Sequence, residues 1–295
     1  MKTEQKYIRI IALTMLLLTV LNKVVVSQGT DSRMKYAKEE KLYAGIMINP
    51  EKTGISNKDF SASSQLENKN GISLNLALEG GYFFSKIAGI SIGAGIGSYS
   101  TELSLDSCSF RFQTSDSENE TYEMRIAGKS IVEKQKISFL SIPVCFILRY
   151  PVGKKLGIYV KAGMSFDIPI VKTYDESGTF TYDGYYAQYP ILLQDLPDFG
   201  FPSNLNTSAS GNLEIKSFSQ TLIASAGATY SLNDTFQFIL GLHFNKSLGN
   251  ISAYNMGTSY HLTSNANELN SIMGGTSGAG VYGFGMSLGL RFYIK

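Results

Sequence analysis

The chain has 295 residues, with 26 basic and 24 acidic side chains, two cysteines and no tryptophan. This near-neutral balance gives no electrostatic argument for nucleic-acid binding, which depends on a surplus of Lys and Arg. After residue 27, no apolar run approaches the roughly 20 residues of a membrane-spanning helix, so a membrane location would require β-strands.

The first residues have the pattern of an export signal. Lys2, Lys6 and Arg9 precede an apolar stretch over 10–21 that is too short to span a bilayer, and short side chains follow up to Ser27. We predict a signal peptide over 1–27 and a periplasmic N-terminal segment over 28–41. Cleavage after Ser27 leaves 22 basic and 23 acidic residues.

Apolar and small polar residues alternate in eight segments of the remaining chain. In 157–170, one row contains Ile158, Val160, Ala162, Met164, Phe166, Ile168 and Ile170. Because successive strand residues face opposite sides of a sheet, these apolar groups all face one way, while the other row is mostly small or polar. A soluble sheet needs a charged outer face, so this pattern indicates lipid outside and a polar interior. The predicted strands are 42–49, 72–84, 90–103, 137–150, 157–170, 214–230, 236–245 and 281–294.

The connections between these strands alternate in length. Tight turns are predicted at 85–89, 151–156 and 231–235, and long polar loops at 50–71, 104–136, 171–213 and 246–280. Short periplasmic turns and long outer loops are typical of outer-membrane barrels. We therefore predict an all-β fold over 42–295, an eight-stranded antiparallel up-and-down transmembrane β-barrel with long extracellular loops and both termini in the periplasm.

Aromatic residues cluster beside the short turns and the C-terminus: Tyr82, Phe83, Phe84, Tyr150, Tyr230, Phe236, Phe292 and Tyr293. Amphipathic rings prefer the headgroup level, so we expect one aromatic belt there. The apolar rows carry no charge at mid-strand, where Lys or Arg facing lipid would cost about 2–4 kcal/mol. Outer-membrane lipid is the partner that these rows predict.

The opposite rows contain a small set of ionisable residues: Glu79, Arg149, Lys161, Asp167, His243 and Arg291. The interior of an eight-stranded barrel is filled by side chains, and buried charges must be paired. We expect Glu79 to be the hub for Arg149, Lys161 and Arg291, and Asp167 and His243 to lie nearer the outer half. This network predicts a plugged polar lumen, and a narrow passive pore is the alternative.

Catalysis at the outer rim is a further alternative, because some small outer-membrane barrels modify lipid with a Ser, His and acid set. His243, Ser247 and Asp167 are the residues that would form such a set. Neither His243 nor His261 lies in a nucleophile motif, and no cluster has metal-ligand spacing. We predict no enzymatic activity, no metal and no cofactor.

The two cysteines, Cys108 and Cys145, fall near opposite ends of adjacent predicted strands. A disulfide needs Cα atoms within about 7 Å, so we expect two free thiols.

The third outer loop is rich in tyrosine, with five rings within sixteen residues: Tyr174, Tyr182, Tyr185, Tyr186 and Tyr189. Exposed tyrosines can stack on sugars or anchor a protein partner, since the ring supplies contact area at low entropic cost. They can equally pack within the loop and fold it over the barrel mouth. The sequence leaves open whether they bind a surface ligand or form a small loop core.

Several short motifs lie in 137–170: an L-x-I-P step, a tight basic turn, and two dipeptides in the following strand. They are Leu140, Ile142 and Pro143; Gly153, Lys154 and Lys155; Tyr159 and Val160; and Ala162 and Gly163. This stretch resembles the central hairpin of porin-family outer-membrane barrels common in Bacteroidetes, related to PorT. Members often have Glu in the L-x-I-P step, where this chain has Ser141.

The last strand, MSLGLRFYI over 286–294, is similar to the C-terminal signal that the barrel-insertion machinery reads. The family resemblance implies an outer-membrane protein, and the activities of its members are mostly unassigned. Pro143 lacks a ladder donor in a closed barrel, so we expect a β-bulge there.

These features together predict an integral outer-membrane barrel with a structural or surface-interaction role through its outer loops. The competing architecture is an exported soluble barrel whose apolar rows face inward as a core.

Overall fold

A computed structural model describes residues 41–60, 66–254 and 260–294, so the predicted signal peptide over 1–27 and all but residue 41 of the segment 28–41 lie outside the described residues. The described chain contains two short 3₁₀ helices, Pro197–Phe199 and Ile272–Gly275, and ten strands. The strands are β1 (Leu42–Phe60), β2 (Leu66–Phe83), β3 (Ala88–Ser115), β4 (Thr121–Pro151), β5 (Leu156–Tyr186), β6 (Ile191–Leu193), β7 (Leu205–Asn212), β8 (Ser219–Ser231), β9 (Phe236–Ser247) and β10 (Thr276–Ile294). Within these residues, no helix has the length and hydrophobicity needed to cross a bilayer.

Eight of the ten strands form a closed antiparallel ring. The order around it is β1, β2, β3, β4, β5, β8, β9 and β10, and β10 pairs with β1. Closure gives the backbone groups of each strand two neighbours with which to form hydrogen bonds. The ring has the eight strands that were predicted, but the described chain has ten in all, because β6 and β7 lie in the predicted third outer loop and pair with β5.

Three strands are far longer than a bilayer requires. β3, β4 and β5 have 28, 31 and 31 residues, whereas a tilted crossing needs about 9–11. The predicted loop 104–136 is instead a continuous hairpin with a turn at 116–120, and β5 continues through about the first third of the predicted loop 171–213. We call these additions the distal extension: 101–115 of β3, 121–136 of β4 and 172–186 of β5.

The apolar rows of the ring face outward. Leu240 on β9 is 54% exposed, and large apolar side chains on the other strands are exposed in the same alternating way. The exposed row includes Leu74, Leu76, Leu78, Leu140, Ile142, Val144, Phe146, Phe238, Leu242, Phe284, Met286, Leu288 and Leu290. The predicted sidedness is confirmed, and the competing architecture with an inward apolar core is excluded for this part of the sheet.

The distal extension has an apolar core of its own. Leu103, Phe110, Ile126 and Tyr182 are buried together, and the segment between β9 and β10 adds Leu262, Leu269 and Ile272. A second buried cluster includes Ile55, Ile137, Phe139, Ile251 and Met273. It contains residues of β1, of β4 and of the segment between β9 and β10. Residues 260–275 therefore pack into the extension, and burial of apolar area is the force that holds them there.

Pro143 lies in β4 without a bulge. Its partner on β5 is Ser165, and the β4–β5 register shifts elsewhere, between Ser138 and Phe139 and near Lys129. On the β3 side the register is unchanged across the proline, and Gly93 lies there, where an added Cβ would be 3.2 Å from the proline ring. The expected bulge is wrong, because a small residue on the neighbouring strand makes room for the ring.

Candidate functional site

The interior of the ring contains an ionic cluster centred on Glu79 of β2. Lys161 of β5 and Arg291 of β10 both form ion pairs with its carboxylate, with Arg291 Nη2 3.2 Å from Oε1. Tyr43 of β1 donates its hydroxyl to Oε1 at 2.9 Å. Arg291 is 1% exposed and Glu79 is 6% exposed. One buried carboxylate therefore connects four strands through charge-assisted hydrogen bonds.

Arg149 does not join this cluster, although the sequence predicts that it would. Its guanidinium carbon lies 3.7 Å from the centroid of the Phe83 ring, and it donates hydrogen bonds to the Tyr293 hydroxyl (3.0 Å) and the Lys86 carbonyl (3.1 Å). Phe83 and Tyr293 belong to a buried cluster with Tyr43 and Ile147, so these two rings leave the predicted aromatic belt and face inward. Arg149 lies at the short-turn end of the ring.

A second polar layer surrounds a small cavity of 70 Å³. Glu51 of β1 accepts hydrogen bonds from Asn75 and from Asn245, the latter at 2.7 Å, and Asp167 accepts one from Ser165 at 2.6 Å. The polar side chains that line the cavity are Asn49, Asn75, Ser141, Ser165, Asp167, Thr221, His243 and Asn245. A space of this size holds a few water molecules at most.

Glu51 is a buried residue of the second polar layer that the sequence did not predict. The first predicted strand ended at 49, before Pro50, whereas β1 continues to Phe60. Met47, Asn49 and Glu51 are all buried on the same alternation. Extending the period-two pattern through the proline would have placed Glu51 inside.

The residues of the alternative catalytic set do not form a catalytic array. Within the described chain, no hydrogen bond joins His243 to Ser247 or Asp167, and Ser247 Oγ instead accepts from the Val281 N–H at 3.0 Å. A nucleophile needs a base within hydrogen-bond reach. Of the residues that the structure describes, no group of three or more His, Cys, Asp or Glu is arranged to hold a metal.

The cysteines are buried free thiols in different parts of the molecule. Cys108 pairs in register with Gly128, and Cys145 pairs with Ser91.

Three of the five predicted recognition tyrosines pack into the distal extension. Tyr182 and Tyr186 are buried, and the Tyr186 hydroxyl donates to Asp116 in the β3–β4 turn at 2.9 Å. The half-buried Tyr174 donates to the Leu269 carbonyl at 3.3 Å. These rings lie on β5 rather than in a loop, so they hold the extension together.

The other two tyrosines stay at the surface of the extension tip. The Arg125 guanidinium lies 4.4 Å from the Tyr185 ring centroid, and the exposed Tyr189 donates to Glu120 at 2.6 Å. Of these two, Tyr189 is exposed and Tyr185 is half-buried against Arg125.

Two buried carboxyl groups face each other in the extension, and the sequence reasoning missed both. Glu133 of β4 and Glu176 of β5 are register partners. Glu133 accepts from Gln135, from Ser271 Oγ at 3.0 Å and from the Ile272 N–H at 2.6 Å. Within the described residues, neither oxygen of Glu176 receives a donor.

Burial raises the pKa of both groups, and the neighbouring Glu133 carboxylate raises the pKa of Glu176 further, to about 11. Two carboxylates this close in a dry site cannot both be charged. The pair therefore favours one shared proton, and the donors from Ser271 and Ile272 favour the negative charge on Glu133 rather than on Glu176.

Residues 42–253 match the family model described as outer membrane protein beta-barrel domain. No curated protein sequence matches the chain. Among solved structures, the chain is similar to Ail, the attachment invasion locus protein of Yersinia pestis, at 10% identity and a TM-score of 0.30 over 85% of this chain and 99% of that one. It is similar to Neisserial surface protein A at 11% identity and a TM-score of 0.35 over 86% of this chain and 97% of that one. It is also similar to the outer membrane protein OprG from Pseudomonas aeruginosa, at 13% identity and a TM-score of 0.37 over 86% of this chain and 98% of that one.

Proposed function

Because the chain belongs to the outer membrane protein beta-barrel domain family, we propose that it is an integral outer-membrane protein whose distal extension acts as a rigid surface platform. The eight ring strands form the transmembrane barrel, the short turns and both termini face the periplasm, and the distal extension faces outward. The exposed apolar row supports the membrane location of the ring, since apolar side chains on an outer surface are favourable in lipid and unfavourable in water.

The lumen of this barrel is plugged. The Glu79 cluster fills the middle, the aromatic cluster of Tyr43, Phe83 and Tyr293 closes the short-turn end, and the apolar core of the extension closes the other. The 70 Å³ cavity between them is far smaller than an aqueous channel. Planar-bilayer recordings of the purified protein should show no steady conductance, and a stable single-channel current would support the passive-pore alternative.

The observation that carries the platform role is the core of the distal extension. A membrane anchor needs only about 9–11 residues per strand, whereas this chain continues three strands and buries Phe180 and Tyr182 completely to keep them ordered. Tyr185 and Tyr189 lie at the tip of this ordered structure and are the residues that we assign to recognition of a surface ligand or protein. This role requires no cofactor and no catalysis.

The L-x-I-P step and the basic turn of the β4–β5 hairpin support a closer placement. We assign the chain to the Bacteroidetes-type branch related to PorT, with removal of the signal peptide over 1–27 on export. The C-terminal strand β10 would be read by the barrel-insertion machinery.

Cysteine labelling of intact cells tests the orientation. In a Cys108→Ala, Cys145→Ala background, Ser117→Cys lies in the β3–β4 turn and Gly153→Cys lies in the β4–β5 turn. A membrane-impermeant maleimide should label Ser117→Cys on intact cells and Gly153→Cys only after lysis. The opposite pattern would reverse the orientation, and release of the protein by osmotic shock would overturn the membrane location.

Binding of whole cells to arrays of immobilised oligosaccharides and surface proteins tests the recognition role. Cells with the Tyr185→Ala, Tyr189→Ala double variant should lose about thirtyfold in binding, since anchor tyrosines are typically worth more than about 1 kcal/mol each. Gln113→Ala, on the exposed face of β3, is the matched control. Equal binding by wild type and the double variant would remove the tyrosines from this role.

A further inference from the structure

A basic cavity of 360 Å³ opens at the short-turn end of the ring. The turns 84–87, 152–155 and 232–235 border it. Four basic residues line it, Lys86, Arg149, Lys154 and Lys155, and in the described chain only one acidic residue, Asp234, does so. The mature chain is close to neutral overall, so this concentration of positive charge is local to one end of the molecule.

Arg149 is held in place within this cavity. The Phe83 ring supports one face of its guanidinium, and the Lys86 carbonyl and Tyr293 hydroxyl each accept one of its N–H groups. The Tyr293 hydroxyl is itself fixed, because it donates to Gln237 Oε1 at 3.0 Å. An arginine has five N–H donors, so three remain for a ligand. Within the described residues, Arg149 has no carboxylate partner in an ion pair.

A fixed guanidinium with free donors is suited to phosphate, because its fork matches two oxygens of the anion. Lys86 and Lys155 lie on exposed turns at the rim and can approach the same anion as point charges.

The same cavity also has an apolar wall. Leu156 and Ile158 of β5 and Leu232 of the 232–235 turn line it, and each is about half exposed. The basic residues therefore meet the end of the apolar row that faces lipid. A ligand that satisfies both walls has an anionic head and an apolar tail.

We propose that this cavity binds the head group of an anionic phospholipid in the periplasmic leaflet, with Arg149 on the phosphate and Lys86 and Lys155 beside it. The inference rests on the proposed membrane orientation, which places the short turns at that leaflet. It adds a specific lipid site to a protein whose proposed role lies at its other end. Positive side chains at a membrane interface attract anionic lipid in this way in other membrane proteins.

Lipid retention by the full chain tests the site. The protein, purified in detergent, is incubated with equal amounts of phosphatidylglycerol and phosphatidylcholine that have the same acyl chains, and native mass spectrometry counts the bound molecules. Both lipids have the phosphate, but the quaternary ammonium of phosphatidylcholine would be repelled by Lys86 and Lys155, so we expect about a tenfold preference for phosphatidylglycerol. Arg149→Gln removes the fixed contact with the phosphate and should reduce the retained phosphatidylglycerol to about a tenth of the wild-type amount.

The Lys86→Gln, Lys155→Gln double variant gives a second measurement on exposed turns that do not support the fold. It should reduce the preference. The matched control is Lys134→Gln with Lys136→Gln, which removes the same charge from exposed positions of β4 at the opposite end. The control should retain the wild-type preference.

Equal retention of the two lipids by the wild type would overturn the proposal. The proposal would also be overturned if the Lys134, Lys136 control lost as much of the lipid preference as the Lys86, Lys155 variant. Full displacement of phosphatidylglycerol by millimolar inorganic phosphate would overturn the lipid assignment, because the tail would then contribute nothing. Each sample is also examined for a heat-modifiable band. A protein that lacks this band fails the membrane proposal itself, whereas one that shows it and has no lipid preference fails only the lipid site.

Discussion

Glu133 and Glu176 lie directly opposite each other on β4 and β5, yet the hydrogen-bond donors around them reach only Glu133. Ser271 and Ile272, which supply two of those donors, belong to the segment between β9 and β10. The carboxyl pair therefore connects the long strands to a segment that is distant in sequence.

The stability of the distal extension should fall as the pH rises. The pKa of Glu176 is raised to about 11 in the folded chain, against about 4.3 for an unperturbed glutamate. Folding takes up a proton between these values, so the stabilisation is complete below about pH 4 and is lost progressively towards alkaline pH. Rates of limited proteolysis at the β3–β4 turn, measured from about pH 5 to 9, should increase.

Glu176→Gln should flatten this dependence and slow proteolysis at about pH 9, because the amide keeps the shape of the protonated acid and carries no charge to bury. Asp106→Asn, on the exposed face of β3, is the matched control and should leave the wild-type profile unchanged. A profile that stays steep in Glu176→Gln would show that another group titrates.

Charge on the outward apolar row should prevent assembly. Leu240→Lys and Leu288→Arg place a cation at the middle of the lipid-facing surface, at a cost of about 2–4 kcal/mol. We expect a large loss of the heat-modifiable band in outer-membrane fractions. Gln113→Lys adds the same charge to the exposed face of the extension and should assemble normally. Similar yields of all three proteins would contradict a lipid-facing row.

Removal of the central carboxylate should destabilise the barrel. Glu79→Gln leaves the buried Arg291 and Lys161 without a counter-charge, and breaking a buried pair in this way costs about 3–5 kcal/mol. The urea midpoint of unfolding in detergent should decrease accordingly. Adding Arg291→Met removes one of the two unpaired cations, so the double variant should recover part of the loss. A double variant less stable than Glu79→Gln would mean that Arg291 acts through other contacts.

Two tyrosines that the sequence treats alike should differ in their effect on stability. Tyr182 is fully buried in the extension core and Tyr189 is exposed at its tip. Tyr182→Ala should cost about 3–5 kcal/mol, as for other large aromatic residues in cores, whereas Tyr189→Ala should change stability by less than about 0.5 kcal/mol. Protease resistance of the extension separates the two. Equal protease resistance of the two variants would mean that Tyr182 does not stabilise the extension core.

Period-two alternation was sufficient to predict the membrane part of the sheet, because one unbroken pattern relates each side chain to its face. Ile158 outward and Lys161 inward both follow from it. Beyond Ile168 the same pattern fails, since the β4–β5 register shifts between Ser138 and Phe139. Residues from Val171 onward then face the opposite way to that expected by counting from Ile158. A shift of one residue reverses every side chain, so Glu176 could not be assigned to the interior from the sequence.

The polarity of the extension also concealed it. Sequences such as SFRFQTS over 109–115 alternate, but their outward residues are Ser, Arg and Gln, which are typical of loops as well as of strands in water. The membrane strands were recognisable because lipid requires an apolar exterior. The extension meets water, so its strands carry the weaker signal of an ordinary soluble sheet.

Leu262 and Ile272 have a consequence for the order of assembly. They complete the apolar core of the extension but lie between the last two strands of the chain. Until β9 and β10 have been added, β3, β4 and β5 would expose the apolar side chains of this core to water. Completion of the extension core is therefore coupled to closure of the ring. A chain truncated before β10 should be cleaved by proteases more readily than the full chain.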